Sequence, residues 1–121
     1  MVWVNQDKCA IVGVGATDYY VRGQSHPRTI NDMVGEAILK ACEDAGLSVR
    51  QIDGFAYYSG AQMGYGDKAD TASLMEMLGI PEITFSAALT SGGGGAAGAV
   101  GLATAAIMNE DATHVVTVMA L

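Results

Sequence analysis

Residues 84–120 read TFSAALTSGGGGAAGAVGLATAAIMNEDATHVVTVMA, and the fold turns on how they are divided. Residues 82–89 are mildly apolar and predict a strand. Four consecutive glycines, Gly92, Gly93, Gly94 and Gly95, then open a run of small residues with no proline and no charge before Glu110. That run predicts a helix over residues 93–108. HVVTVMA, residues 114–120, is a continuous apolar run of strand type, the pattern of a strand covered on both faces.

The same alternation continues upstream. Residues 9–14, CAIVGV, form a short apolar run ended by Gly15 and predict a first strand. Residues 18–28, DYYVRGQSHPR, mix polar residues with Gly and Pro and predict a long loop. Thr29 and Asp32 have the spacing of a capping box, and Ile30, Met33, Val34, Ala37, Ile38, Ala41 and Ala45 recur at helical spacing. Gly46 supplies the stop. After a turn through residues 47–51, IDGFAYYSG at residues 52–60 predicts a second strand. Asp70 or Thr71 caps a shorter helix carrying Leu74, Met75 and Leu78, closed by Gly79 and followed by Pro81. The order is βαβαβαβ. Strands alternating with helices imply an α/β fold, a parallel sheet with right-handed crossovers and helices on both faces. A buried-type strand with no helix or cap after it leads to the expectation that residues 1–121 are a partial domain, cut after the fourth strand.

Composition narrows the function classes. The 121 residues are 50% hydrophobic and 16% charged, enough apolar material for one core and too much for a disordered chain. The net charge of −7 comes from scattered acids, and the six Lys and Arg form no run, which argues against nucleic acid as a partner. The N-terminus lacks the apolar core of a signal peptide, and no stretch is long enough to span a membrane, so a cytoplasmic location is expected. Cys9 and Cys42 have no CxxC spacing and no histidine pair nearby. Reduced core thiols, rather than a disulfide or zinc site, are expected.

Two glycine motifs invite a ligand reading. Gly13-Val14-Gly15 is half of a dinucleotide fingerprint, but Asp18 stands where the third glycine belongs and a loop replaces the immediate helix, so a tight turn is the better reading. In the second motif, close packing accounts for Gly98, Ala99, Gly101 and Ala103. It accounts less well for the run from Gly92 to Gly95, since glycine at a helix start forfeits about 1 kcal/mol per residue relative to alanine. What such a run does provide is a helix N-terminus with free N–H groups and no side chains in the way, suited to an anion or a polarised carbonyl. His114 opens the fourth strand and reads as structural. His26, before Pro27, reads as a solvated loop residue. Tyr57, Tyr58 and Tyr65 suit a pocket mouth or a core edge, and Met63, Met75 and Met77 suit packing.

Taken together, AIVGVGATDYY (10–20), DMVGEAILKACEDAGLSVRQIDGF (32–55), the third strand with its Gly/Ala helix, and HVVTVMA (114–120) resemble the N-terminal section of a thiolase-superfamily protein. The likeness is nearest to the sterol-carrier-protein-X and lipid-transfer-protein branch, and it rests on the order and spacing of the motifs together. It implies that residues 1–121 are a partial thiolase-like N-terminal domain. In working thiolases a nucleophilic cysteine sits on the turn that opens the third helix, and the matching position here is Gly93. Cys42 lies in an unrelated helix, so thiolysis through a cysteine acyl-enzyme is not expected.

The resemblance implies instead an aldolase-type lyase that cleaves a carbon–carbon bond in acyl-CoA thioesters from sterol or lipid side chains. Ser91, Gly92, Gly93 and Gly94 would shape the acyl site, with acid and base residues beyond residue 121. Coenzyme A would enter as part of the substrate, with no further cofactor and no metal. A homodimer pairing its third strands and a small OB-fold partner protein are also implied. Two alternatives stand beside it: an acyltransferase using Ser91, and a thiolase-like subunit that binds without catalysing.

Overall fold

A computed structural model describes residues 4–21, 23–59, 69–89 and 92–120. Helix α1 spans Ile30–Ala45, a 3-10 turn Val49–Gln51, strand β1 Gly54–Ser59, helix α2 Thr71–Leu78, strand β2 Phe85–Leu89, helix α3 Gly95–Met108 and strand β3 Val115–Ala120. The sheet is parallel with the order β2-β1-β3, so β1 is central. Tyr58 stands opposite both Leu89 and Met119.

Side chains alternate across β1 and build a core on each face. On one face Phe55 packs with Val34, Ile38 and Cys42 of α1, with Leu74 of α2, and with Ile52, Ala69 and Ile80. On the other, Ala56 meets Ala99 and Ala103 of α3. The small side chains here bring helix and sheet into close contact. Phe55 and Ala56 are fully buried, as a strand sandwiched between helices requires.

The helix caps formed as their sequence dictates. The Thr29 hydroxyl accepts the Asp32 N–H at 3.1 Å, and the Asp32 carboxylate accepts the Thr29 N–H at 3.1 Å, a reciprocal capping box. Asp70 rather than Thr71 caps α2, accepting from the Ser73 N–H at 2.9 Å. Gly46 and Gly79 end α1 and α2 in the left-handed conformation, at φ +69° and +67°.

These bonds hold the Asp32 and Asp70 carboxyls below their ordinary values, chiefly through the backbone bonds to Thr29 and Ser73. A depressed folded value means that the cap contribution is present above the unfolded aspartate range. It is lost as pH falls through the folded values, below 3.8. Helicity followed by circular dichroism at 222 nm is therefore expected to fall as the pH drops below 3.8. In Asp32→Asn/Asp70→Asn that step should shrink; an unchanged step would refute the assignment.

Several features differ from the sequence reading. Residues 9–14 form no strand: they pair with no strand among the described residues. They lie against α1, where a Cβ on Gly13 would overlap the Ala41 carbonyl and one on Gly15 the Ala37 carbonyl. Those glycines thus serve close approach to the Ala37, Ala41 and Ala45 ridge, not a tight turn. The third strand begins at Phe85 rather than residue 82, and α3 at Gly95 rather than residue 93. The fourth predicted strand, β3, is an edge strand and not fully buried: Thr117 is exposed and Met119 is 58% exposed.

Candidate functional site

Because all three strands are parallel, their carboxyl ends, at Ser59, Leu89 and Ala120, share one edge of the sheet. The glycine run leaves β2 at that edge and enters α3. In open parallel sheets this is where ligands bind, since chains depart there to opposite faces and leave a crevice.

The four glycines have different physical reasons. Gly92 adopts φ +25°, a region that disfavours side chains. Gly95 lies against the ring of Tyr58, where a Cβ would overlap the aromatic carbons. Packing therefore explains Gly95, contrary to the sequence reading that set all four apart from packing. At Gly93 and Gly94 neither reason applies: a Cβ would meet nothing within 4 Å among the described residues, and neither has positive φ. Gly92, Gly93 and Gly94 are exposed, forming an open surface rather than an enclosed cavity.

The backbone supplies the polar chemistry. Gly94 is the N-cap of α3 and makes no side-chain cap bond. The Gly95 N–H donates to the Gly92 carbonyl at 3.1 Å and the Gly98 N–H to the Gly94 carbonyl at 2.9 Å. The N–H groups of Ala96 and Ala97 have no acceptor among the described residues. They belong to the orphan donors of the first turn, at the positive end of the helix dipole.

Of the other residues singled out, Ser91, Met63 and Tyr65 lie outside the described residues. Tyr58 is buried beneath Gly95 and Tyr57 packs against the α1 and α2 core, so neither is at a pocket mouth. Gly98 does approach Leu89, and Ala99 and Ala103 are buried, but Gly101 is exposed with nothing within 4 Å among the described residues, so packing does not explain it there. His26 is exposed. Met75 packs against the core, whereas Met77 is 45% exposed with its terminal methyl against Gly35. Both cysteines are free; Cys42 is buried and burial raises its pKa, while Cys9 is half-buried.

Sequence reasoning missed Asp53. Its carboxylate accepts the Thr113 N–H at 2.9 Å and the His114 N–H at 2.8 Å, while its carbonyl accepts the Thr84 N–H at 2.8 Å. Asp53 thus ties the amino ends of β1, β2 and β3 together, opposite the glycine run. It also fixes His114 in a structural place. Among the described residues no cluster of His, Cys, Asp or Glu would hold a metal ion, and no helix is long and apolar enough to cross a membrane.

No family model matches the chain. It is 33% identical over 109 residues to the 17-hydroxy-3-oxo-4-pregnene-20-carboxyl-CoA lyase of Mycobacterium tuberculosis, covering 90% of this chain and 26% of that protein. Among solved structures it is similar to the Ltp2-ChsH2(DUF35) aldolase, with a TM-score of 0.75 and 31% identity over 89% of this chain and 26% of that one. It also shares the fold of 3-oxoacyl-[acyl-carrier-protein] synthase III from Aquifex aeolicus VF5, with a TM-score of 0.64 at 17% identity, covering 77% of this chain and 30% of that one. The chain spans about a quarter of the length of the first two relatives.

Proposed function

We infer that this chain, which has the thiolase-superfamily fold, is the section of an acyl-CoA lyase that forms the floor of its acyl site. One observation supports the reading: Gly93, which the thiolase resemblance matches to the nucleophilic cysteine, follows β2 at the carboxyl edge of the parallel sheet, and a Cβ there would meet nothing within 4 Å among the described residues. The lyase and the aldolase are 33% and 31% identical to it over about nine tenths of this chain.

The reaction class is a retro-aldol cleavage of a β-hydroxyacyl-CoA. A base removes the hydroxyl proton, the oxygen lone pair becomes a carbonyl, and the bond between the α and β carbons breaks. The electron pair moves into the thioester as an enolate, which a proton donor then quenches at carbon. No acyl-enzyme forms, so no cysteine is required. The enolate oxygen needs hydrogen-bond donors, and the Ala96 and Ala97 N–H groups at the mouth of α3 supply that type of group. Gly92, Gly93 and Gly94, with Ser91, leave room for the acyl chain. Acid and base come from polypeptide outside residues 1–121, coenzyme A enters with the substrate, and no separate cofactor takes part. The substrate class is the CoA thioester of a sterol or lipid side chain.

Assembly follows the same reading. The outer edge of β2 has no partner among the described residues, which suits a homodimer paired through this strand. A small OB-fold protein is the second partner, consistent with the two-part name of the similar aldolase.

The test uses the protein purified from its own cells, supplied with a β-hydroxyacyl-CoA bearing a tertiary hydroxyl. The expected products are a ketone and a shortened acyl-CoA, with no acyl adduct on the peptide spanning residues 84–98. In Gly93→Cys an acyl adduct should appear there, because the new thiol stands at a helix N-terminus that favours its thiolate. An adduct on the unmodified peptide would turn the assignment to an acyltransferase. Acyl-CoA binding without turnover would turn it to a binding subunit.

A further inference from the structure

Along the face of β1 that meets α3, the side chains grow toward the carboxyl edge: Gly54 and Ala56 are followed by Tyr58. The helix answers in the opposite order. Ala103 and Ala99 pack with Ala56, and Gly95 lies against the Tyr58 ring, where even a Cβ would overlap the aromatic carbons. One strand over, Leu89 is the register partner of Tyr58, and a Cβ on Gly98 would fall 2.8 Å from the Leu89 Cδ2. Gly95 and Gly98 are three residues apart, so both lie on one face of the helix. The first turn of α3 therefore rests, through two glycines, on two neighbouring side chains of adjacent strands.

Among the described residues, these two contacts fix the turn relative to the sheet. Gly94 makes no side-chain cap bond, and a Cβ on Gly92, Gly93 or Gly94 would meet nothing within 4 Å among the described residues. The backbone bonds from Gly95 to Gly92 and from Gly98 to Gly94 join parts of the turn to one another and would travel with it. Consecutive glycines are the most permissive backbone available, so such a turn keeps one position only where something outside it holds it. Tyr58 suits that task, being buried on a strand that is paired on both sides.

We propose that Tyr58 and Leu89 are positioning residues of the lyase reaction, a seat that sets how far the glycine turn and the N–H groups of Ala96 and Ala97 stand from the sheet. Both act through Gly95 and Gly98, and neither touches substrate. An enolate oxygen is stabilised only by donors at hydrogen-bond distance, and a displacement of about 1 Å in such a site costs about a hundredfold in rate. The proposal rests on the lyase reading for its chemistry, but the seat has a readout that needs no turnover.

Both are measured on the protein made in its own cells. Tyr58→Leu should lower kcat per folded molecule for the tertiary β-hydroxyacyl-CoA by about tenfold or more, with KM changed by less than about threefold. Tyr58→Phe keeps the ring and should recover most of that rate. The second readout is the thiol of Gly93→Cys. The pH midpoint of its alkylation should lie below the ordinary thiol value of about 8.5, and should rise by about 0.5 or more when Tyr58→Leu is added but not when Tyr58→Phe is. If Tyr58→Leu fails to fold, Leu89→Ala is read in the same two ways. An unchanged kcat or an unmoved midpoint in the folded variant overturns the proposal. So does equal damage from Tyr58→Phe, which would assign the role to the hydroxyl. If the wild-type protein cleaves no β-hydroxyacyl-CoA while the midpoint still moves, the lyase reading falls and the seat stands.

Discussion

Replacing Asp53 by alanine is expected to destabilise the protein by about 2–4 kcal/mol, since the carboxylate accepts charge-assisted bonds from two backbone N–H groups. Thr113 is exposed while Asp53 and His114 are half-buried, so water replaces part of the loss and the figure stays below the sum of two such bonds. The midpoint of thermal unfolding should fall by about 10 °C. Asp53→Asn is the sharper comparison. Its amide keeps the shape but turns one acceptor into a donor that faces the Thr113 and His114 donors, so it should lose about half as much or more. Under the proposed function, turnover per folded molecule should survive in both, because Asp53 stands at the amino ends of the strands and the glycine run at the carboxyl ends. Wild-type stability in Asp53→Ala would show that the three strands are held by packing alone. Activity lost without a fall in stability would place Asp53 in the reaction.

Asp53 also shows what kind of information the sequence withholds. An aspartate between Ile52 and Gly54, inside an otherwise apolar strand run, was a legible oddity, since aspartate is disfavoured in strands. Its partners were not, because Thr84, Thr113 and His114 reach it only after the sheet has formed. The helices behave differently. Thr29 with Asp32, and Asp70 with Ser73, act within one turn, and their caps could be read locally. The start of α3 was read two residues early because Gly93, Gly94 and Gly95 offer no side-chain cap to mark the boundary.

Residues 9–14 carry the opposite lesson. Their apolar run has strand composition, but a strand is defined by a partner, and none of the described residues pairs with them. Met119 is exposed on β3, which pairs on one side only among the described residues. At the candidate site the turn itself was legible from four glycines in a row. Their division into one with positive φ, one against the Tyr58 ring and two open was not, because it depends on a ring contributed by another strand.

That division makes a second large effect predictable. Gly95→Ala should destabilise the protein by about 1–3 kcal/mol, the usual range for overpacking, since its Cβ would fall 2.6 Å from Cε2 and 2.9 Å from Cγ of Tyr58. The ring has little room to yield: Tyr58 is 5% exposed and sits on the central strand, paired on both sides. The turn must move instead, carrying Gly92, Gly93 and Gly94 with it, so turnover of a β-hydroxyacyl-CoA should fall by about tenfold or more. Gly93→Ala is the control. Its Cβ meets nothing within 4 Å among the described residues, and stability should stay within about 0.5 kcal/mol of wild type. If Gly93 faces the acyl chain, that variant loses substrate affinity while keeping its fold, and so separates ligand contact from packing two residues away. Tyr58→Leu should relieve Gly95→Ala, so that the double variant is more stable than the sum of the single losses. Strict additivity in that cycle would show that the ring does not set the position of the turn. An unperturbed affinity in Gly93→Ala would mean that the open glycines face something other than substrate.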